Sequence, residues 1–413
     1  MRRNGSTDMS VPGWTDEDST HLRERMARHV DAGHVPGLIA LVARGGEAHV
    51  EVVGTPSFDD DRPLQRDAIF RIASLTKPVV AAGAMVLVDE GVLVLDDPID
   101  DLLPELANRQ VLKRIDSAVD DTVAAKRPIT VRDVLTSTFG LGMDMTMIGT
   151  PIMAALFEQG ITPNGPVPMP EQDEWMRRLS TLPLMYQPGE RWQYQISSDL
   201  VGVLVSRVTG QSYDDFLRER IFEPLGMKDT GFWVPADQID RLPPLYAPDP
   251  ATGEFQVWDE AEGGRHSAPP AFQGGGGGLN STADDYHAYF RMLLNHGVHN
   301  GEQILSKPAV ELMTSNSLTP DVLAARETLA RDNVHISFGQ GQQGGWGFGM
   351  AVRTYRGDYA PIGQFGWDGG AGTSTYADPV NQIVGILLTQ VGTTVPSAVQ
   401  LAGDFWTTLY QAI

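Results

Sequence analysis

The sequence predicts an α/β (α+β) chain. An antiparallel sheet is built from both chain ends, flanked by helices and interrupted by an inserted, mainly helical domain. Three observations predict it. Two apolar runs, 37–43 and 48–53, flank Arg44-Gly45-Gly46-Glu47, a hairpin signal. Four more strand-like runs, 347–354, 361–365, 373–377 and 383–390, follow one another through short turns, as in a meander. Between these ends the pattern is helical or loop-rich, so N- and C-terminal strands have to meet in one sheet. The expected organisation is a loose tail over 1–15, a sheet domain from 16–95 plus 275–413, and a helical insertion over 96–274 with a loop-rich lid.

Bulk composition narrows the function classes. The chain has 413 residues, 41% of them hydrophobic, enough for a large core in one or two domains. A formal charge of −22 argues against nucleic acid or an anionic membrane as partner. There are no cysteines, which excludes disulfides, thiolate metal sites and a cysteine nucleophile. The first residues hold no apolar signal core, and no later run has the length of a membrane span. A cytoplasmic protein without metal or cofactor is the expectation.

Each element has its own signal. Residues 16–32 form a charged amphipathic helix with Leu22, Met26, His29 and Val30 on one side. The hairpin follows, then a helix from Ser74 to about Gly91. Thr130 caps a short helix over 131–137. From 139 to 185 the chain is loop-rich and carries Met143, Met145, Met147, Met153, Met169 and Met176. Methionine adapts its shape, so the cluster reads either as a lid or acyl pocket or as ordinary core filling. Ser197 or Ser198 is expected to cap a helix ending at Thr209-Gly210, and a second helix covers 213–221. Five glycines, 274–278, lack the flanking residues of a phosphate cradle and predict a tight backbone passage instead. Ser281 to Asp284 resembles a capping box for a helix to 295, and helices over 307–314 and 396–410 complete the set.

The chemistry centres on Phe70-Arg71-Ile72-Ala73-Ser74-Leu75-Thr76-Lys77-Pro78. Ser74 begins a helix, and Lys77, three residues on, shares its face. A hydroxyl beside an amine is a nucleophile beside a base once burial depresses the lysine pKa. The unpaired N–H groups of the helix start suit a developing oxyanion. Only five lysines occur in the chain, which makes the match uncommon. On spacing alone, however, the same pattern also describes a helix start with a surface lysine. Pro78 removes an N–H of the first turn, so that turn is expected to be irregular. There is no Gly-x-Ser-x-Gly elbow and no His-Glu-x-x-His helix, which argues against an α/β-hydrolase and a zinc hydrolase.

Further segments widen the match. Gly91 to Pro98, Ile129 to Thr136, Pro188-Gly-Glu-Arg-Trp-Gln-Tyr194 and Gly366-Trp-Asp-Gly-Gly-Ala-Gly-Thr373 join the Ser74 stretch. Together they resemble the serine β-lactamase and penicillin-recognising superfamily, from about residue 16 to 413. Within it the sequence is most similar to class C-like esterases, the family VIII carboxylesterases. The resemblance implies a β-lactamase/transpeptidase-like fold and an acyl-enzyme mechanism on a small ester. Ser74 would be the nucleophile, and Lys77 and Tyr194 its proton-transfer partners, with the base open between the two. The backbone N–H groups of Ser74 and Gly370 would form the oxyanion hole. Substrate contacts would come from Trp367, Asp368, Gly369 and Ile196.

Two departures matter. Many β-lactamases carry asparagine two residues after the tyrosine, where this chain has Ile196. Their third motif begins with lysine or histidine, where this chain has Trp367-Asp368-Gly369. A cation there would pair with an antibiotic's carboxylate; tryptophan cannot, and Asp368 would repel it. Carboxylester cleavage is therefore the leading expectation, with weak or no β-lactam turnover. Acyl transfer, amide hydrolysis of D-amino-acid peptides or amino-acid oligomers, and a non-catalytic binding role are the alternatives. Trp367 itself reads either as a pocket wall or as a structural aromatic.

Overall fold

A computed structural model describes residues 13–163, 167–249, 251–332, 344–393 and 395–413 of the chain. The first helix, α1, spans Asp16–Asp31, and Thr15 caps it by accepting from the Asp18 N–H while Asp18 bonds back to Thr15. Trp14 is buried beside it and donates to Ser19 Oγ at 2.9 Å. Residues 13–15, expected in the loose tail, thus belong to the folded chain; 1–12 lie outside the described residues.

Seven strands form the main sheet: β1 Gly37–Arg44, β2 Glu47–Gly54, β3 Gly345–Trp346, β4 Ala351–Val352, β5 Phe365–Gly369, β6 Thr373–Asp378 and β7 Ile383–Thr389. Their order is β3-β4-β5-β6-β7-β1-β2, and all neighbours are antiparallel. The two ends of the chain meet at the β7–β1 pair, with Leu41 opposite Ile386. The hairpin closes where Gly45-Gly46 predicts, with Arg44 opposite Glu47. The C-terminal run differs from expectation. The strand expected over 361–365 lies instead at 365–369. Gly366 is needed there because a Cβ would meet the Thr375 carbonyl of the neighbouring strand at 2.1 Å.

Helices cover both faces of the sheet. On one face lie α1 and the closing helix, here α5, Pro396–Gln411, which bury Leu22, Met26, Leu401 and Phe405 with Leu38 and Leu387. On the other lie α2 Thr76–Asp89 and α4 Ala283–Leu294. Every residue of α2 from Thr76 to Leu87 is buried, and α3, Ile196–Thr209, packs against it. Apolar burial of this extent is the main force fixing the site on rigid elements. One contiguous core joins the sheet to the helices of the central segment. The Thr130 cap forms as expected, accepting from the Asp133 N–H. Among the described residues no helix is long and apolar enough to cross a membrane.

Candidate active site

Ser74 lies in a 3₁₀ turn, Ala73–Leu75, that runs straight into α2. The irregular first turn expected from Pro78 is therefore present. Ala73 has φ +47°, a left-handed conformation costly for a residue with a Cβ. Contacts from distant segments hold it. Leu279 N–H donates to Thr76 Oγ1 at 3.0 Å, and Tyr286 and Tyr289 of α4 donate to the carbonyls of Leu75 and Pro78 at 2.6 and 2.7 Å.

Tyr194 approaches from the start of α3. Its carbonyl accepts from Met143 N–H at 2.9 Å and from Ile196 N–H at 3.1 Å. The second bond closes a three-residue γ-turn on Gln195, whose φ is +77° and ψ −71°. Such a turn is strained by about 1–3 kcal/mol. It aims Tyr194 and Gln195 at the same point. The expected cap at Ser197 or Ser198 is not used; the helix starts at Ile196 and both serines are buried within it.

Three side chains far apart in sequence meet here. Lys77 Nζ is 2.9 Å from Ser74 Oγ, and Tyr194 OH donates to the same oxygen at 2.8 Å. Lys77 Nζ also reaches Gln195 Oε1 at 2.8 Å and the Gly276 carbonyl at 2.5 Å. Burial pushes the Lys77 ammonium down to about 7, against a smaller opposing pull from Asp199. Burial also pushes the Tyr194 phenol up to about 12, opposed by its bonds to Ser74 and Trp367. The phenol therefore keeps its proton at neutral pH. The glycine passage comes close as expected: a Cβ on Gly275 would meet the Ser198 carbonyl at 2.2 Å.

Ser74 is half-buried and opens onto a cavity of about 570 Å³. Its walls include Met169, Phe232, Tyr246 and Phe272, with Gly370 at the end of β5. A Cβ on Gly370 would meet nothing within 4 Å. Arg71, Asp259, Arg265 and His266 form a polar rim. Arg71 is locked by Asp259 at 2.7 Å and by the Pro243 and Glu260 carbonyls. Of the loop methionines, Met169 reaches the cavity, whereas Met153 and Met176 are core residues; the Met145 side chain lies outside the described residues.

The four residues expected to touch substrate require correction. Trp367 is 2% exposed, so it is not an open pocket wall; its Nε1–H donates to Tyr194 OH at 2.8 Å. Asp368 points to the opposite face of β5, as the two-residue period of a strand demands. There it accepts from Ser374 Oγ at 2.5 Å and from Tyr376 OH, and burial pushes its carboxyl up to about 7. Its side chain is thus turned away from Ser74, though its charge, when ionised, still disfavours the Tyr194 phenolate. Gly369 is packed against the Ile72 carbonyl, and Ile196 is fully buried. Sequence reasoning missed Gln195 and Gly276 as Lys77 partners. Gln195 had one available signal, its position next to Tyr194.

A polar-lined serine with a lysine and a tyrosine at hydrogen-bond distance has counterparts among known proteins. A family model described as "Beta-lactamase" matches residues 22–403. The chain belongs to the β-lactamase family. It is 37% identical over 367 residues to Protein Rv1367c of Mycobacterium tuberculosis, covering 87% of each chain. It is 29% identical over 371 residues to Esterase EstB of Burkholderia gladioli, covering 86% of this chain and 85% of that one. Among solved structures, "EstCE1, a hydrolase with promiscuous acyltransferase activity" superposes with a TM-score of 0.76 at 23% identity, over 96% of this chain and 99% of the other. The β-lactamase/transpeptidase fold is thus shared throughout, and this family member is an enzyme of the serine-hydrolase type.

Proposed function

We propose that the chain is a carboxylesterase that works through an acyl-enzyme on Ser74. One observation carries the reading: the run of hydrogen bonds from Trp367 N–H to Tyr194 O–H to Ser74 Oγ, with Lys77 Nζ 2.9 Å from that oxygen. A neutral amine has two N–H bonds and one lone pair. The Gly276 carbonyl and Gln195 Oε1 can only accept, so they take the two N–H bonds. The lone pair is left for the Ser74 proton. Lys77 therefore acts as the base, and the phenol of Tyr194, still protonated, carries the proton to the leaving alcohol. The reaction balances simply. Ser74 Oγ bonds to the ester carbonyl carbon, the ester C–O bond breaks, and the alcohol leaves with a proton from the Lys77–Tyr194 pair. Water then attacks the acyl-enzyme and releases the acid. The backbone N–H groups of Ser74 and Gly370 receive the oxyanion in both steps.

The apolar lining of Met169, Phe232 and Phe272 supports a small, largely apolar ester. Similarity to Esterase EstB supports the same class. The test is turnover of p-nitrophenyl acetate and butyrate by wild type and Ser74→Ala. Turnover lost in the variant supports the reading; equal rates refute it. A second reading, acyl transfer to an alcohol, is supported by the likeness to EstCE1, a hydrolase with promiscuous acyltransferase activity, and is read from the product ratio when alcohol acceptors are added. Nitrocefin is expected to be hydrolysed weakly or not at all.

A further inference from the structure

Asp199 touches neither Ser74 nor Tyr194 by hydrogen bond, yet it lines the same cavity and is 1% exposed. Its Oδ1 accepts from Gly276 N–H at 2.7 Å, and its Oδ2 faces Gln195 Nε2 at 3.5 Å. These are the two groups whose oxygens face Lys77. A primary amide has one donating and one accepting end, whereas the Gly276 N–H and carbonyl belong to successive peptide units on either side of one Cα. A carboxylate that takes the Gln195 N–H turns that amide's oxygen towards the lysine, and by holding the Gly276 N–H it anchors the backbone at the residue whose carbonyl also faces Lys77. The packing leaves no slack: a Cβ on Gly276 would meet Gln195 Nε2 at 2.0 Å and Asp199 Oδ1 at 3.0 Å.

We infer that Asp199 is a positioning residue, which orients the Gln195 amide and anchors the backbone at Gly276 so that Lys77 offers its lone pair to Ser74. The inference rests on the reading of Lys77 as base. It also explains a buried acid directly before the apolar run Leu200 to Val205. Asp199 is the charge acting on Lys77, and Lys77 the charge acting on Asp199. Tyr194, whose ring centroid is 4.4 Å from Lys77 Nζ, is the other titratable group in contact. Arg71, Tyr246, Asp259, Arg265 and His266 are the remaining ionisable groups lining the cavity. Burial pushes Asp199 up to about 6, opposed mainly by Gly276 N–H and Lys77.

Asp199→Asn tests the inference. The new amide would turn an N–H towards Gln195 Nε2, so the Gln195 amide has to flip and point a donor at Lys77. We expect kcat for p-nitrophenyl butyrate to fall about 10²-fold with little change in KM. Losing the negative charge also destabilises the Lys77 ammonium, so the acid limb of kcat/KM moves to lower pH. The double variant Asp199→Asn/Gln195→Glu restores a carboxylate that can accept from Lys77 and from the new amide together. It should recover about tenfold in kcat and bring the acid limb back up. A merely structural role would produce neither the limb shift nor the rescue. An unchanged kcat and pH limb in folded Asp199→Asn overturns the inference, as does a double variant no better than the single one. If Asp199→Asn melts below assay temperature, Gln195→Leu reads the same point. It removes one acceptor and should lower kcat about tenfold, and a wild-type kcat would count against the inference. Ser74→Ala and Lys77→Met separate the two levels. If both retain wild-type turnover, the base reading fails. If both are inactive while Asp199→Asn behaves as wild type, only the role of Asp199 fails.

Discussion

Trp367→Phe is the most pointed perturbation of the relay, because it deletes one N–H and keeps an aromatic ring. In the native site that N–H lies 2.8 Å from Tyr194 OH. Indole nitrogen can only donate, so it forces the phenol to spend its own proton on Ser74. Without it, the phenol can rotate and accept from Ser74 instead, which opposes proton flow to the leaving group. A hydrogen bond of this kind is worth about 0.5–1.5 kcal/mol net. At about 1.4 kcal/mol per factor of ten, kcat should fall roughly 2- to 12-fold. The ring packs edge-on against Trp346 with centroids 4.8 Å apart, so the smaller phenyl also leaves a void. That void should lower stability by on the order of 1–2 kcal/mol. The assay is kcat and KM for p-nitrophenyl butyrate, together with a thermal melt. A kcat equal to wild type in a correctly folded variant refutes the relay. A collapse to the level of Ser74→Ala also refutes it, since Trp367 would then be doing far more than orienting a phenol.

Other expectations follow from the same geometry. kcat/KM should rise with pH through about 7, because Lys77 must lose its proton first, and should stay level beyond pH 9, because Tyr194 titrates near 12. An acid limb near 4 or a falling limb below 9 in the pH–rate profile would contradict this. Arg71→Met leaves Asp259 buried, with Arg265 3.4 Å away, and should cost about 3–5 kcal/mol in denaturant unfolding; an unchanged midpoint would contradict that. Asp368 is raised to about 7 in the folded chain, so the native state binds its proton more tightly than the unfolded chain does. Its ionisation therefore destabilises the fold progressively as pH rises from about 4 to 7. Asp368→Asn should flatten that part of the melting-temperature profile and leave ester turnover in place.

The sequence carried the frame of this site better than its wiring. Ser74 and Lys77 were legible because a three-residue spacing on a helix fixes their proximity locally. The two-ended sheet was legible from the Gly45-Gly46 hairpin and the late meander. Tyr194 came from resemblance alone, since no local pattern links it to a serine 120 residues earlier. Gln195 and Gly276 act through an amide orientation and a backbone carbonyl, and neither leaves a residue-type signature. The glycine run announced a close backbone passage without saying which carbonyl would face the lysine. The pocket-wall reading of Trp367 and the anion-repelling role of Asp368 share one source. With the strand expected at 361–365 rather than 365–369, the alternation that sends Asp368 to the far face is invisible.

The central claim is a covalent one, and mass spectrometry reads it directly. Wild-type protein quenched during turnover of p-nitrophenyl butyrate should carry one butyryl group, on the peptide containing Ser74, and Ser74→Ala should carry none. Steady turnover with the label elsewhere, or equal labelling in Ser74→Ala, would contradict the account.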